Sequence, residues 1–168
     1  MPGSRKGAFE LDGNLGLKSL PTPTDSGMQL RLAVFPTLTA ALDYAAQGQT
    51  GFNYYNGRGD LTAVLPYSEL REKARALARK LQALGRGARV ALVAHTHPDF
   101  MVVFYACQYA GLVPVPLPAA IHLGGHEAYV RHLRQMIADC KAAAAFAPDD
   151  FISLLREAVS GLDVAVTG

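Results

Sequence analysis

From residue 68 onward the hydrophobic positions change period repeatedly. Leu70, Ala74, Leu77, Leu81 and Leu84 recur at alternating spacings that place them on one side of a helix over 68–84, and Gly85 and Gly87 close it. Arg89–Ala94 (RVALVA) is a continuous apolar run of strand length, suited to burial on both faces. Pro98 fits the first turn of the next helix. Because Phe100–Ala110 is apolar nearly all round, that helix is expected to lie sandwiched inside the protein. In Val113, Val115 and Leu117 apolar residues alternate with Pro114, Pro116 and Pro118. Proline donates nothing to a ladder, so this segment reads as an edge or short terminal strand. After Gly124-Gly125 a helix carries Tyr129, Leu133, Met136, Ile137 and Cys140. Lys141 suits its C-terminal end. Ala142–Ala147 then reads as a small-residue strand, Pro148-Asp149 starts a helix with Ile152, Leu155 and Val159 on one side, and Leu162–Thr167 is a further strand. Helix and strand therefore alternate. That predicts an α/β fold, layered, with a mainly parallel sheet and helices on both faces.

The first part of the chain differs. Residues 1–28 are rich in Gly, Pro and Ser and read as a tail or linker, with structure beginning near Met28 and the α/β unit covering 29–168. Thr37 can cap a helix bearing Leu38, Leu42 and Ala45, which Gly48 would end. Phe52–Tyr55 and Leu61–Leu65 flank Asn56-Gly-Arg-Gly-Asp60, a β-hairpin pattern in which the glycines supply positive φ. An N-terminal helix and hairpin thus precede the layered sheet.

Composition narrows the function classes. Half of the 168 residues are hydrophobic, enough for one ordinary core, and the formal charge of +2 is too small to argue for nucleic acid. Phe100–Leu123 has no acidic or basic residue, but three prolines in its second half would leave backbone groups unsatisfied in lipid, so no membrane span is expected. Cys107 and Cys140 read as two buried free thiols, which fits a reducing cytoplasm.

Three segments in order carry a resemblance: Leu65–Leu70 (LPYSEL), Arg89–Pro118 (RVALVAHTHPDFMVVFYACQYAGLVPVPLP) and the helix leading into MIADCKAAAAFAP. Together they resemble the front of the adenylate-forming ligase superfamily, from about Thr37 to the last residue. PLPAAIHLGGHEAYVRHLRQMIAD is most similar to the long-chain acyl branch, which spans fatty acyl-AMP ligases and long-chain acyl-CoA synthetases, including those attached to polyketide and nonribosomal assembly lines. In the family's L-T-Y-x-E-L motif, Tyr67, Glu69 and Leu70 match, while Pro66 replaces the capping Thr, so Ser68 is expected to cap a shortened helix. In the second motif Gly111, Pro114 and Pro116 match. Both motifs are expected to pack rather than touch substrate.

The resemblance implies that the whole enzyme uses ATP and Mg²⁺ to activate a fatty acid as an acyl-adenylate, then passes the acyl group to CoA or to a carrier protein's phosphopantetheine thiol. No run here resembles the Ser/Thr/Gly-rich phosphate loop, so no catalytic residue and no cofactor is expected in this chain. It should act as a structural subdomain, inactive alone, whose partner is the remainder of its own enzyme. Exposed apolar surface is expected, with self-association.

Other residue constellations carry little chemistry. His122, His126 and His132 lack the convergence of a metal set, so no metal site is expected. His95 and His97 follow a strand's C-terminal end, where open α/β sheets bind ligands. No serine stands in G-x-S-x-G, and no G-x-G-x-x-G occurs. Arg71, Arg75 and Arg79 form one helical stripe with only Glu72 as the local acid, either a solvated face or a docking surface for an acidic partner. Two readings compete with the ligase: a stand-alone interaction domain that kept the fold and lost catalysis, and a small nucleotide-binding protein of flavodoxin-like topology.

Overall fold

The computed structural model describes residues 28, 29, 31, 32, 34–119 and 125–167, so residues 1–27 of the expected tail, together with His122 and Gly124, lie outside the described residues. Along the chain run α1 (Leu38–Ala45), β1 (Gly51–Tyr55), β2 (Leu61–Pro66), α2 (Tyr67–Leu81), β3 (Arg89–Ala94), α3 (Pro98–Ala110), β4 (Val113–Pro118), α4 (Gly125–Asp139), β5 (Ala142–Phe146), α5 (Asp149–Val159) and β6 (Ala165–Thr167). β1 and β2 pair antiparallel, and the other four strands form a parallel sheet in the order β4-β3-β5-β6. The expected layered α/β architecture is what the chain adopts.

β3 shows why its run is apolar throughout. Successive side chains point to opposite faces. Val90 and Leu92 pack with α2 and α3 residues such as Ala74, Ala78 and Cys107, whereas Ala91 and Val93 pack with Leu133, Ile137 and Leu155 of α4 and α5. β5 meets the same demand with alanines. Its pairing to β3 slips between Arg89 and Val90, which lets Ala142 join the α4/α5 side and Ala144 the α2/α3 side despite their equal parity.

β4 is the edge strand its prolines predicted. The Val113 amide donates to the Ala88 carbonyl at 2.9 Å. Alternation along the strand turns the Val115 and Leu117 amides the same way and leaves the nitrogens of Pro114, Pro116 and Pro118 on the outer edge. That edge offers no N–H to an incoming strand, which protects it against edge-to-edge pairing.

Several local expectations need correction. α2 begins at Tyr67 with no side-chain cap. Ser68 does not take over, because it already lies inside the helix, whose first amide, that of Tyr67, donates to the Thr50 carbonyl at 3.0 Å. Thr37 does cap α1 through the Ala40 amide, but the helix ends at Ala45, before Gly48, and Leu38 stays 52% exposed. Among the hairpin-turn glycines only Gly59 takes a positive φ; the Asn56 side chain organises the rest by accepting from the Arg58 and Asp60 amides. Lys141 adopts a left-handed φ of 51° just past α4, a turn-closing position more often given to glycine. α3 is not enclosed on all sides. Ala106 and Cys107 are buried, while the flanking residues Met101–Tyr105 and Gln108–Ala110 are half-buried. The reason is that α2, the sheet and the hairpin each cover only a sector of it.

Cys107 is fully buried, and its thiol is pushed up to about 12 by desolvation. Cys140 is only half-buried and points its Sγ at the Ile137 carbonyl. Both are free. No helix among the described residues is long and apolar enough to cross a membrane.

Candidate functional site

β3 is the strand at which the sheet changes direction. From β3 the chain crosses through α3 to β4 on one side. From β4 it then crosses through α4 to β5 on the other. With right-handed crossovers this puts α3 and α4 on opposite faces and opens a crevice beyond the carboxyl ends of β3 and β5, the place where open α/β sheets hold ligands.

A cleft of about 330 Å³ lies there. Its floor is apolar, built from Leu92, Val103, Phe100 and Phe146, and its polar groups are His95, His97, Asp99 and Asp149. Each is placed by local chain chemistry. His97 is extended and caps α3, its Nδ1 accepting from the Asp99 amide at 3.3 Å and lying 3.2 Å from the Asp99 carboxylate. His95 sits against Phe151 of α5, ring centroids 5.5 Å apart. Asp149 opens α5 directly after Pro148.

This arrangement is a poor phosphate cradle. Pro98 has no amide hydrogen, the Asp99 amide is taken by His97 Nδ1, and the Phe100 amide donates to the His97 carbonyl at 3.2 Å. The anion-binding amides of the α3 terminus are therefore already used, and Asp99 and Asp149 add negative charge. The α3 end of this cleft thus does not fit a triphosphate, and no group of three metal-ligating side chains occurs among the described residues. His126 is drawn instead into a pair with Glu157 of α5 at 2.8 Å, and His132 is exposed on α4.

The motif residues lie on α2 and around the α3–β4 connection. Leu70 is fully buried between hairpin and helices, Tyr67 stacks edge-on against Phe52, and Glu69 pairs with Lys73 at 2.7 Å. Gly111 takes the left-handed conformation (φ 69°) that ends α3. Pro114 is half-buried and Pro116 exposed.

The arginine stripe is less uniform than its spacing suggests. Arg71 Nε bonds Asp43 Oδ1 at 2.6 Å, and the same oxygen accepts from the Tyr109 hydroxyl at 2.7 Å. Asp43 comes from α1, an acid distant in sequence, so its carboxylate ties α1 to both α2 and α3. Arg75 and Arg79 remain exposed. Partial burial and the hydrogen bond to Asp43 raise the Tyr109 pKa.

These features define an open-sheet α/β domain with a cleft at its switch point. Residues 45–166 match the family model described as AMP-binding enzyme, and the chain belongs to that family. It is 49% identical over 129 residues to a Caulobacter vibrioides protein named "Putative acyl-CoA synthetase". Against the medium-chain-fatty-acid–[acyl-carrier-protein] ligase JamA of Moorena producens the identity is 31%. Each match covers 76% of this chain, which spans 23% and 22% of those relatives, about a quarter of their length. Among solved structures, one from a study of fatty acyl-adenylate ligases from E. coli and L. pneumophila superposes with a TM-score of 0.75 at 40% identity, covering 81% of this chain and 25% of that one. An adenylation domain of a keto acid-selecting nonribosomal peptide synthetase module shares the fold at 22% identity and a TM-score of 0.65, with 78% of this chain and 25% of that one covered.

Proposed function

We propose that the protein containing this chain is a cytoplasmic ATP-dependent ligase that activates a fatty acid as acyl-adenylate and transfers the acyl group to a thiol of CoA or a carrier protein. This chain contributes the α/β scaffold and has no catalysis of its own. The observation that carries the reading is the 40% identity and close superposition on a fatty acyl-adenylate ligase structure. The switch-point cleft is in keeping with a scaffold role, since its two carboxylates and occupied α3 amides offer a phosphate few donors.

Pyrophosphate release from ATP tests this. The full-length protein is expected to turn over with a fatty acid, and residues 28–168 alone to stay at the blank rate. Turnover by the isolated segment would overturn the scaffold role.

The names of the two relatives divide on the acceptor. Arg75 and Arg79, exposed and free of the Asp43 tie that holds Arg71, suit docking of an acidic carrier protein. Reversing both charges in the full-length enzyme is expected to slow transfer to carrier protein and spare adenylation. Transfer at the parent rate would reject docking there.

A second reading has its own support. The chain is 29% identical over 117 residues to Disco-interacting protein 2 of Drosophila melanogaster, covering 67% of this chain and 6% of that protein. An interaction domain without ligase chemistry would leave the full-length protein unable to release pyrophosphate with any fatty acid.

A further inference from the structure

In the parallel layer the helices run against the strands, so helix starts gather at the cleft edge and helix ends at the edge where the strands begin. Charge is sorted along that axis. The cleft edge holds the first-turn acids Glu69, Asp99, Glu127, Asp149 and Asp150. The opposite edge holds Arg79 and Lys80 in the last turn of α2, Arg86 ahead of β3, Arg89 at its start and Lys141 ahead of β5. All five are exposed, and none forms an ion pair among the described residues. Asp139 and Asp163 are the acids at that edge. Arg79, Lys80 and Lys141 complement the carbonyl ends of α2 and α4, but Arg86 and Arg89 have no helix end to serve. Both sit beside the edge strand. A Cβ added to Gly111 would meet Arg86 Cγ at 3.3 Å, so the Arg86 stem lies across that glycine. The Gly87 amide donates to the Gly111 carbonyl at 2.8 Å, which joins the turns before β3 and β4. Arg89 pairs in register with Val113, which is 46% exposed.

We propose that this basic edge docks the protein on an anionic phospholipid bilayer, with Arg86 and Arg89 among the headgroup phosphates and Val113 at their level. A guanidinium pairs with phosphate oxygens through two parallel hydrogen bonds, which an ammonium cannot do. Clusters of about four to eight cations are what anionic leaflets attract. Both clefts lie at the far edge, around His95 and His97. The basic edge is thus a charged surface without a pocket, which suits a fluid headgroup layer, whereas a folded acidic partner would need a contour to match. The inference does not rest on the ligase reading, because no step of that chemistry involves these residues.

The test sediments the full-length protein with vesicles of phosphatidylcholine alone, or of phosphatidylcholine and phosphatidylglycerol in equal parts. Binding is expected to the mixed vesicles only. It should fade as the salt rises from about 0.1 M to 1 M, where the screening length falls from about 10 Å to 3 Å. Arg89→Gln should weaken binding about five-fold, and Arg86→Gln with Arg89→Gln about thirty-fold, the scale for losing one and two cations near an anionic leaflet. Arg131→Gln, which removes an exposed cation from the first half of α4, should change binding less than about two-fold, because it lies outside the patch. Circular dichroism checks each fold, and if the double variant does not fold, the comparison of Arg89→Gln with Arg131→Gln decides. The proposal falls if neutral vesicles bind equally well, if Arg131→Gln costs as much as Arg89→Gln, or if the protein stays in solution with both vesicles. Capture by polyglutamate but not by the mixed vesicles would overturn it in favour of an acidic protein partner.

Discussion

The parallel layer and the N-terminal helix-hairpin unit hold themselves together in different ways. In the layer, β3 and β5 are clad on both faces, and the core on the α4/α5 side includes Leu133, Ile137 and Leu155, each fully buried. The hairpin unit has a four-residue core of Leu42, Tyr54, Leu65 and Leu70. It also carries most of the large apolar side chains left exposed among the described residues, namely Leu32, Val34, Leu38, Tyr55, Leu61 and Val64, against Val113 alone in the layer. A βαβ crossover covers its own strands. A two-stranded hairpin has a second face that nothing in its own topology covers. The layer is therefore expected to set global stability, and the hairpin to open locally and to present the sticky surface.

Truncating each core separates the two regions most sharply. Leu133→Ala is expected to cost about 3–4 kcal/mol in urea unfolding, the range for a fully buried leucine that leaves a cavity. Leu65→Ala is expected to cost about 2–3 kcal/mol, and native-state hydrogen exchange should show the β1 and β2 amides opening while β3 and β5 keep their protection. Equal loss of protection in β3 would mean that the two regions form one cooperative unit.

Gly51 sharpens the comparison at a single atom. It pairs with Pro66 across the hairpin, and a Cβ there would sit 2.4 Å from the Leu65 carbonyl oxygen. Gly51→Ala must push backbone aside, at about 2 kcal/mol on the scale of overpacked sites. The damage should be confined to hairpin exchange rates. An unchanged hairpin would show that the strands part there without strain.

The contrast also explains what could be read from residues alone. The layer was legible because its elements are each specified by local pattern: the heptad-like spacing of Leu70–Leu84, the unbroken RVALVA run and the alternating prolines of β4. The alternation even encodes which way the amides point. What escaped depends on neighbours distant in sequence. Nothing around Gly51 announces a backbone approach, since its partner is fifteen residues away. Asp43 sits in an ordinary helix, and its bonds to Arg71 and Tyr109 exist only once α1, α2 and α3 meet. The candidate clefts were half legible. His95 and His97 could be placed at a strand's C-terminal end, but not the bond from the Asp99 amide to His97 Nδ1 that occupies the α3 terminus, because it depends on how the turn between them folds.

Asp43 supplies the smallest effect and the only one that depends on pH. Partial burial lifts its pKa. Hydrogen bonds from Tyr109 and Arg71, with the charges of Arg71 and Arg75, outweigh that and hold it below the 3.8 usual for aspartate. A carboxyl whose folded pKa is depressed stabilises the fold fully above its unfolded value, and the contribution fades as pH falls through the folded one. Asp43→Asn should therefore lower the melting temperature slightly at pH 7, where the side chain is 44% exposed and well screened. The gap between parent and variant should close as the pH drops below about 3.8. Because Asp43 ties α1 to α2 and α3, the loss should appear first as faster exchange in α1. A gap that persists unchanged at pH 3 would show that the carboxylate's charge is not what fastens α1 to the layer.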